Sequence, residues 1–366
     1  MQYLLMALVI CITVGIYFYY FFKRFFTLFR LADKPKVAKR CSLLLALVCA
    51  AGCVWILGLG AVLVLHFLAV CLIMDLLNLL LKHKMKSEKV EKYWSFLYRS
   101  GLIGVLVVAL VVGYGFYNIR QVHRTEYTLE TVKPLGQELK IVQISDLHMG
   151  TVMDMSKLRE YCGKIEQENP DILALTGDIF DERTSREEME ETAKLLGEIK
   201  TTYGIYYVFG NHDYNYYSMT PLYTPDELRS VLTENGIQVL EDDVVEVSNN
   251  LTIVGRKDAS VERREMSELI SGVNKDAFVL LLEHQPVNLT ENASLGVDLQ
   301  LSGHTHAGQI WPTGQLNQLI GAVELNYGWK KIDDFQVIVS SGIAGWGYPI
   351  RTGGHSEYVV ITVSEH

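Results

Sequence analysis

The chain has 366 residues, is 49% hydrophobic with a mean hydropathy of +0.16, and carries a formal net charge of −9. It is too apolar for an ordinary soluble protein, and its charge is unevenly spread: residues 1–119 hold 13 Lys and Arg against four acids, residues 120–366 hold 20 against 38. Such asymmetry marks two parts in two environments, and the acidic second part, with no basic run, argues against long nucleic acid as a partner.

The first part reads as membrane. Tyr3–Phe22 is an uninterrupted apolar run of 20 residues, enough to cross a hydrocarbon core of about 30 Å. Its positive charges follow it and no small-residue cleavage site ends it, so a span is predicted rather than a signal peptide. Ser42–Leu81 is interrupted by only His66, Asp75 and Asn78 as strongly polar residues. As one helix it would be about 60 Å long, so two spans are expected, about 42–58 and 61–81, with Gly58-Leu59-Gly60 at the hairpin tip. Gly101–Asn118 is the fourth.

Lys23, Arg24, Arg30, Lys34, Lys36, Lys39 and Arg40 lie between the first two spans; Lys82, Lys84, Lys86, Lys89, Lys92 and Arg99 lie between the last two. The positive-inside rule keeps both loops cytoplasmic. Four spans then predict a multi-pass cell-membrane protein, with the bilayer as partner and the large C-terminal part outside the cytoplasm. Five cysteines lie in or beside the spans and only Cys162 beyond them, so that part must be stable through its core alone. Residues 120–137 read as a juxtamembrane connector, with Tyr127–Val132 as a candidate edge strand, and 138–366 as the outer domain.

In that domain Ile141–Ile144 is a predicted strand that breaks into Asp146-Leu147-His148. A period of two puts both side chains on one side as the chain leaves the sheet, where an oxygen and a nitrogen could grip one divalent ion. The plainer alternative is a surface Asp and His on a loop. Further on, helices are expected over Met155–Asn169, Ser185–Lys200 (Ser185 as N-cap with Glu188 three residues on), from Pro225 towards Asn235, and near Val261–Ser271. Buried strands are expected at Asp171–Thr176, Gly204–Phe209 and Ala277–Leu282. Short strands follow at Gln238–Leu240, Val244–Val247, Leu251–Val254, Leu299–Leu301, Gln336–Ser340 and Tyr358–Val363. The fold class is α/β: a sheet of buried strands with its site at their carboxyl ends, and a second, partly antiparallel sheet from 238–254 and 336–363.

Five strand ends carry metal-binding residue types: Asp146 and His148; Asp178; Asn211, His212 and Asp213; His284; His304 and His306. The set D-L-H, G-D, G-N-H-D, E-H-Q-P and G-H-T-H-A-G-Q, in this order and spacing, resembles the calcineurin-like metallophosphoesterases, and most nearly their membrane-anchored branch. The resemblance covers residues 138–366 and implies a β-sandwich flanked by helices with two divalent ions. It assigns Asp146, His148 and His306 to one ion and Asn211, His284 and His304 to the other, with Asp178 bridging. A donor set of carboxylate, amide and imidazole suits Mn, Fe or Zn better than Ca or Mg. The implied chemistry is attack on phosphorus by a water shared between the ions.

His212, left without an ion, would protonate the leaving oxygen, and Asp213 could hold its other ring nitrogen. Gly177, Gly210 and Gly303 fit tight turns and close backbone approach, or plain packing. Arg351 and Arg256 are candidate phosphate contacts, and Gly345–Arg351 has the composition of a lipid-headgroup boundary, or of loop packing. The expected function is hydrolysis of a phosphomonoester, phosphodiester or pyrophosphate at the outer membrane face, with a lipid-linked or cell-envelope substrate as the candidate. The alternative is a non-catalytic membrane protein whose metal site stabilises a domain that binds an envelope partner.

Overall fold

The structure is a computed structural model that describes residues 2–29, 33–54 and 58–366. It divides into two compact units, Met1–Tyr114 and Gly115–His366. Arg30, counted among the loop cations, and residues 55–57 of the expected second span lie outside the described residues.

The first unit is helical: α1 (Gln2–Phe25), α2 (Pro35–Gly52), α3 (Leu59–Leu81), α4 (Glu88–Ser100) and α5 (Leu102–Asn118), whose last turn passes into the second unit. Among the described residues two stretches are long and apolar enough to cross a membrane, Ala7–Leu28 and Leu59–Leu81, and α4 with α5 makes a third only if that pair, bent by 55°, is counted as one span. The described part therefore gives two or three apolar spans where four were expected. The reason lies in α2, which begins at Pro35 inside the basic loop and spends its first two turns on Lys36, Lys39 and Arg40.

The second unit holds two six-stranded sheets. The first, in spatial order, is β1 (Val122–Thr131), β12 (Ser356–Glu365), β2 (Leu139–Ile144), β3 (Ile172–Thr176), β4 (Gly204–Val208) and β5 (Ile237–Val239). The second is β10 (Gly328–Ile332), β11 (Phe335–Val339), β9 (Leu299–Ser302), β8 (Phe278–Leu282), β7 (Leu251–Gly255) and β6 (Asp243–Ser248). The strand period of two sorts their side chains. Ile141, Ile172, Ala174 and Tyr206 join Ile253, Leu280, Leu301 and Ile338 in one core between the sheets. Val142, Ile144, Leu173 and Tyr207 face the other way, onto α6 (Met155–Gln167), α7 (Arg186–Gly197) and α8 (Pro225–Glu234). Val254, Val279, Leu281 and Val337 pack on α9 (Met266–Leu269) and α10 (Leu289–Leu295), and α11 (Thr313–Leu319) follows. The result is a mixed α/β fold with two sheets.

The helix starts follow the sequence closely. Ser185 with Glu188 and Thr224 with Glu227 form reciprocal capping boxes, and Asp154 caps α6. Sheet membership differs from expectation. β8 pairs parallel to β7, and β9 parallel to β8, in the second sheet, whereas β5 and β12 belong to the first, where β12 runs parallel to β1 and antiparallel to β2. Both sheets are therefore mixed. The edge strand expected from Tyr127 starts five residues earlier, because its whole length pairs with β12. The helix near Val261–Ser271 shrinks to the four residues of α9. Asp242 accepts from the backbone N–H of Lys257 and Arg264, and Asp258 from that of Ser260, which ties residues 257–264 down as a loop.

Candidate metal centre

Asp146 and His148 follow β2, Asp178 follows β3 and Asn211 follows β4; His284 follows β8, and His304 and His306 follow β9. The carboxyl ends of strands from both sheets thus meet at one place. Two groups form there: Asp146, His148 and His306, and Asp178, His284 and His304, each with one ligand atom per residue within 4.8 Å of the others. In the first, His306 Nε2 lies 3.3 Å from His148 Nε2 and 3.4 Å from Asp146 Oδ1. In the second, His284 Nε2 lies 3.0 Å from Asp178 Oδ2, and that same oxygen is 3.8 Å from His148 Nε2. Asp178 therefore faces both groups.

Asp146 and His148 reach one group, but not by strand alternation. β2 ends at Ile144, and both residues sit in the left-handed region at φ 52° and 43°. Asp178, His304 and His306 share that conformation. Such a residue costs on the order of 1–3 kcal/mol and persists only where its surroundings fix it. Here the N–H of Asp146 donates to the Gly177 carbonyl, that of His148 to the Asp178 carbonyl, and that of His304 to the Asp146 carboxylate. A Cβ at Gly210 would overlap Asp178 Oδ1, and one at Gly303 would overlap Asp146 Oδ2, so close approach is the reason for glycine at both positions.

Burial and neighbouring charges pull the titratable groups of the centre in different directions. His306 is held well below its ordinary pKa by burial, then by His148 and Arg351; His304 is lowered by burial and His284. Burial opposes ionisation of Asp178, yet His284, His212 and His148 hold it well below the carboxylate range. Burial pulls His284 down, but Asp178 outweighs it and raises the ring well above its usual value. A cation bound at Nε2 of His284 would displace a proton from that ring. The Nδ1 N–H of His284 donates to the Thr176 carbonyl at 2.8 Å, leaving Nε2 for the site. Asn211 Oδ1 is buried with no hydrogen-bond partner among the described residues, and His284 Nε2 faces the Asp178 carboxylate. An orphaned amide oxygen with imidazole and carboxylate beside it fits divalent metal ions.

The His212 backbone N–H donates to Asp178 Oδ1 at 2.8 Å, and its ring lies 5.2 Å from that of His148. Its Nδ1 meets Glu182, at 2.9 and 3.1 Å from the two carboxylate oxygens. The structure does not put Asp213 in that role. Its carboxylate turns under the loop and accepts from the N–H groups of Asp178, Phe180 and Gly210 and from Tyr207 Oη. Burial and the nearby Asp178 push its pKa up to about 7 against those donors. Glu182 carries no signal in the sequence, because it lies four residues past Asp178 in a loop whose course no strand or helix pattern sets. Asp181 Oδ2, 3.5 Å from His148 Nδ1, lies in that same loop.

Neither arginine offers itself to solvent. Arg256 is 3% exposed; it lies 3.7 Å from Glu283 and donates to the Arg264 carbonyl. Arg351 is fully buried and donates to the carbonyls of His306 and Ala344, bracing the turn that carries a candidate ligand; burial pushes its guanidinium down to about 10. The Gly345–Arg351 loop is pinned from inside by Gln309, whose Nε2 donates to the carbonyls of Trp346, Tyr348 and Ile350. Trp346 faces His212 at 5.1 Å between rings, which makes it a wall of the site.

Residues 139–308 match the calcineurin-like phosphoesterase family model. The chain is 33% identical over 247 residues to an uncharacterized metallophosphoesterase of Aquifex aeolicus, covering 65% of this chain and 90% of that protein. It is 26% identical over 324 residues to a transmembrane protein with metallophosphoesterase domain from Danio rerio, covering 83% and 71%. An uncharacterized metallophosphoesterase of Helicobacter pylori is 30% identical over 249 residues, covering 66% and 64%. With its two candidate metal-binding groups, the chain belongs to the calcineurin-like metallophosphoesterases, metal-dependent phosphoester hydrolases.

Proposed function

We propose that Asp146, His148 and His306 hold one divalent ion and Asn211, His284 and His304 a second, with Asp178 between them. The observation that carries this reading is the single Asp178 carboxylate facing both groups, 3.0 Å from His284 Nε2 and 3.8 Å from His148 Nε2. Ions held there supply Lewis acidity towards phosphoryl oxygens and acidify water near neutral pH, for which Mn, Fe or Zn suits the donors. His212 then gives the departing oxygen its proton, and Glu182 fixes the ring through Nδ1. Replacing Glu182 by Gln should lower turnover by about 10-fold, less than loss of His212, with metal content unchanged. Arg351→Lys should loosen the His306 turn and weaken metal affinity by about 10-fold; calorimetric titration with Mn checks it.

The proposed substrate is a phosphomonoester, phosphodiester or pyrophosphate presented at the outer membrane face, with a lipid-linked or cell-envelope molecule as candidate. Its supports are the acidic second part, the apolar helices, and a sheet that begins at Val122 directly after α5 ends at Asn118. If α2 and α5 each cross the membrane beside α1 and α3, four spans with both basic loops inside would put the domain outside the cytoplasm. A reporter that fluoresces only in the cytoplasm, fused after His366, is expected to stay dark; a bright one would move the substrate search inside the cell. Lipid extracts of cells carrying the active chain, compared with cells carrying Asp178→Asn, should differ in one phosphorylated component. Identical extracts would remove lipid from the substrate candidates.

A further inference from the structure

The 13 residues of α4 divide into two faces. Val90, Tyr93, Trp94, Phe96, Leu97 and Tyr98 recur at spacings of three and four and share an apolar arc, which Lys89 interrupts between Phe96 and Tyr93, while Glu88, Glu91, Lys92, Ser95 and Arg99 fill the opposite side. One flank of that arc is partnered. Trp94 Nε1 donates to Asn78 Oδ1 of α3 at 2.9 Å, and Tyr98 meets the Arg24 guanidinium of α1, which lies 4.0 Å over its ring. Arg24 also pairs with Asp75 of α3 at 2.6 Å, and Tyr17 donates to the other Asp75 oxygen at 2.5 Å. The other flank is bare, with Val90 52%, Tyr93 63% and Phe96 51% exposed.

At about 20 Å the helix is too short to cross a membrane. Its break from α5 is built in: Gly101 has φ 69°, and a Cβ there would stand 2.6 Å from the Phe21 ring. From Lys82 to Arg99 there are six cations against Glu88 and Glu91. A second copy of the chain docked on the bare flank would bring like charges together, whereas anionic headgroups would complement them.

We propose that α4 lies along the membrane–water boundary. Val90, Tyr93 and Phe96 are sunk among acyl chains, and Lys89 and Lys92 sit on the phosphates of anionic phospholipid. A short amphipathic helix whose exposed aromatic residues are interleaved with and edged by lysines, the lysine stems lying along the apolar surface and the ammonium groups reaching the headgroups, is a form such surfaces bind. The helix extends the apolar surface of α1 and α3, to which Arg24 and Asn78 clamp it, and so the proposal rests on reading those helices as spans.

The test uses the full chain in phosphatidylcholine vesicles with and without phosphatidylglycerol. Nitroxide labels are placed at Glu91→Cys, Tyr93→Cys, Phe96→Cys and, as a control on α3, Ile73→Cys, after the native cysteines are replaced by alanine. If that background does not fold, each added cysteine is read as a difference from the labelled native chain. Oxygen contact should exceed contact with a water-soluble nickel chelate at positions 93 and 96, and the order should reverse at 91. Phosphatidylglycerol should drive the first two labels deeper, and Lys89→Gln with Lys92→Gln should abolish that shift. Water exposure at 93 and 96, shielding from both reagents, lipid exposure at 91, or indifference to phosphatidylglycerol would each overturn the proposal. A water-exposed label at Ile73 would instead overturn the reading of α3 as a span.

Discussion

Asp178→Asn is expected to lose bound metal and turnover together, by more than about 10²-fold in each. Changing a residue that merely orients a ligand costs about 10–100-fold in metal affinity or activity. Asp178 faces both candidate groups, and its other oxygen accepts the His212 N–H, so one substitution touches both groups and the placement of the acid. The amide keeps the shape and removes the charge, which His284, His212 and His148 otherwise stabilise. Metal analysis of the purified variant, with turnover on a chromogenic phosphodiester, checks both halves. A variant with full metal content and full turnover would refute the bridging assignment.

His212→Gln should behave differently: metal content is retained while turnover falls by about 10²-fold or more. The ring is assigned to proton transfer, not to ligation, and it belongs to neither candidate group. The loss should shrink for esters with good leaving groups, which depart without a proton. An equal loss across good and poor leaving groups would remove the general-acid role and leave His212 as a phosphate contact. Glu182→Gln, acting through the ring, should show the same dependence on leaving group at smaller size.

Which residues gather at the centre was legible in the sequence because each follows a buried strand whose apolar run is unmistakable. Helix starts were legible for a similar local reason, since Ser185, Glu188, Thr224 and Glu227 carry their own capping chemistry. Sheet membership was not, because pairing is a long-range choice: nothing in Ser356–Glu365 says that it slots between β1 and β2. The roles of Asp213 and Glu182 could not be separated either. Both are acids near His212, and only the turn of the loop sends one beneath the backbone and the other to the ring. The arginines mislead for a related reason. Arg351 and Arg256 read as candidate phosphate contacts in sequence, yet each is enclosed by carbonyl or carboxylate partners. In the first unit, hydropathy sees the apolar stretches but not that α2 starts within the basic loop, nor that α4 turns away from α5 at Gly101.

The most direct measurement is metal reconstitution of the chelated full-length protein, following turnover of bis(p-nitrophenyl) phosphate as Mn is added. The account predicts no turnover in the chelated protein and a rise that ends at two equivalents per chain. Turnover that persists without metal, or that saturates at one equivalent, would contradict it.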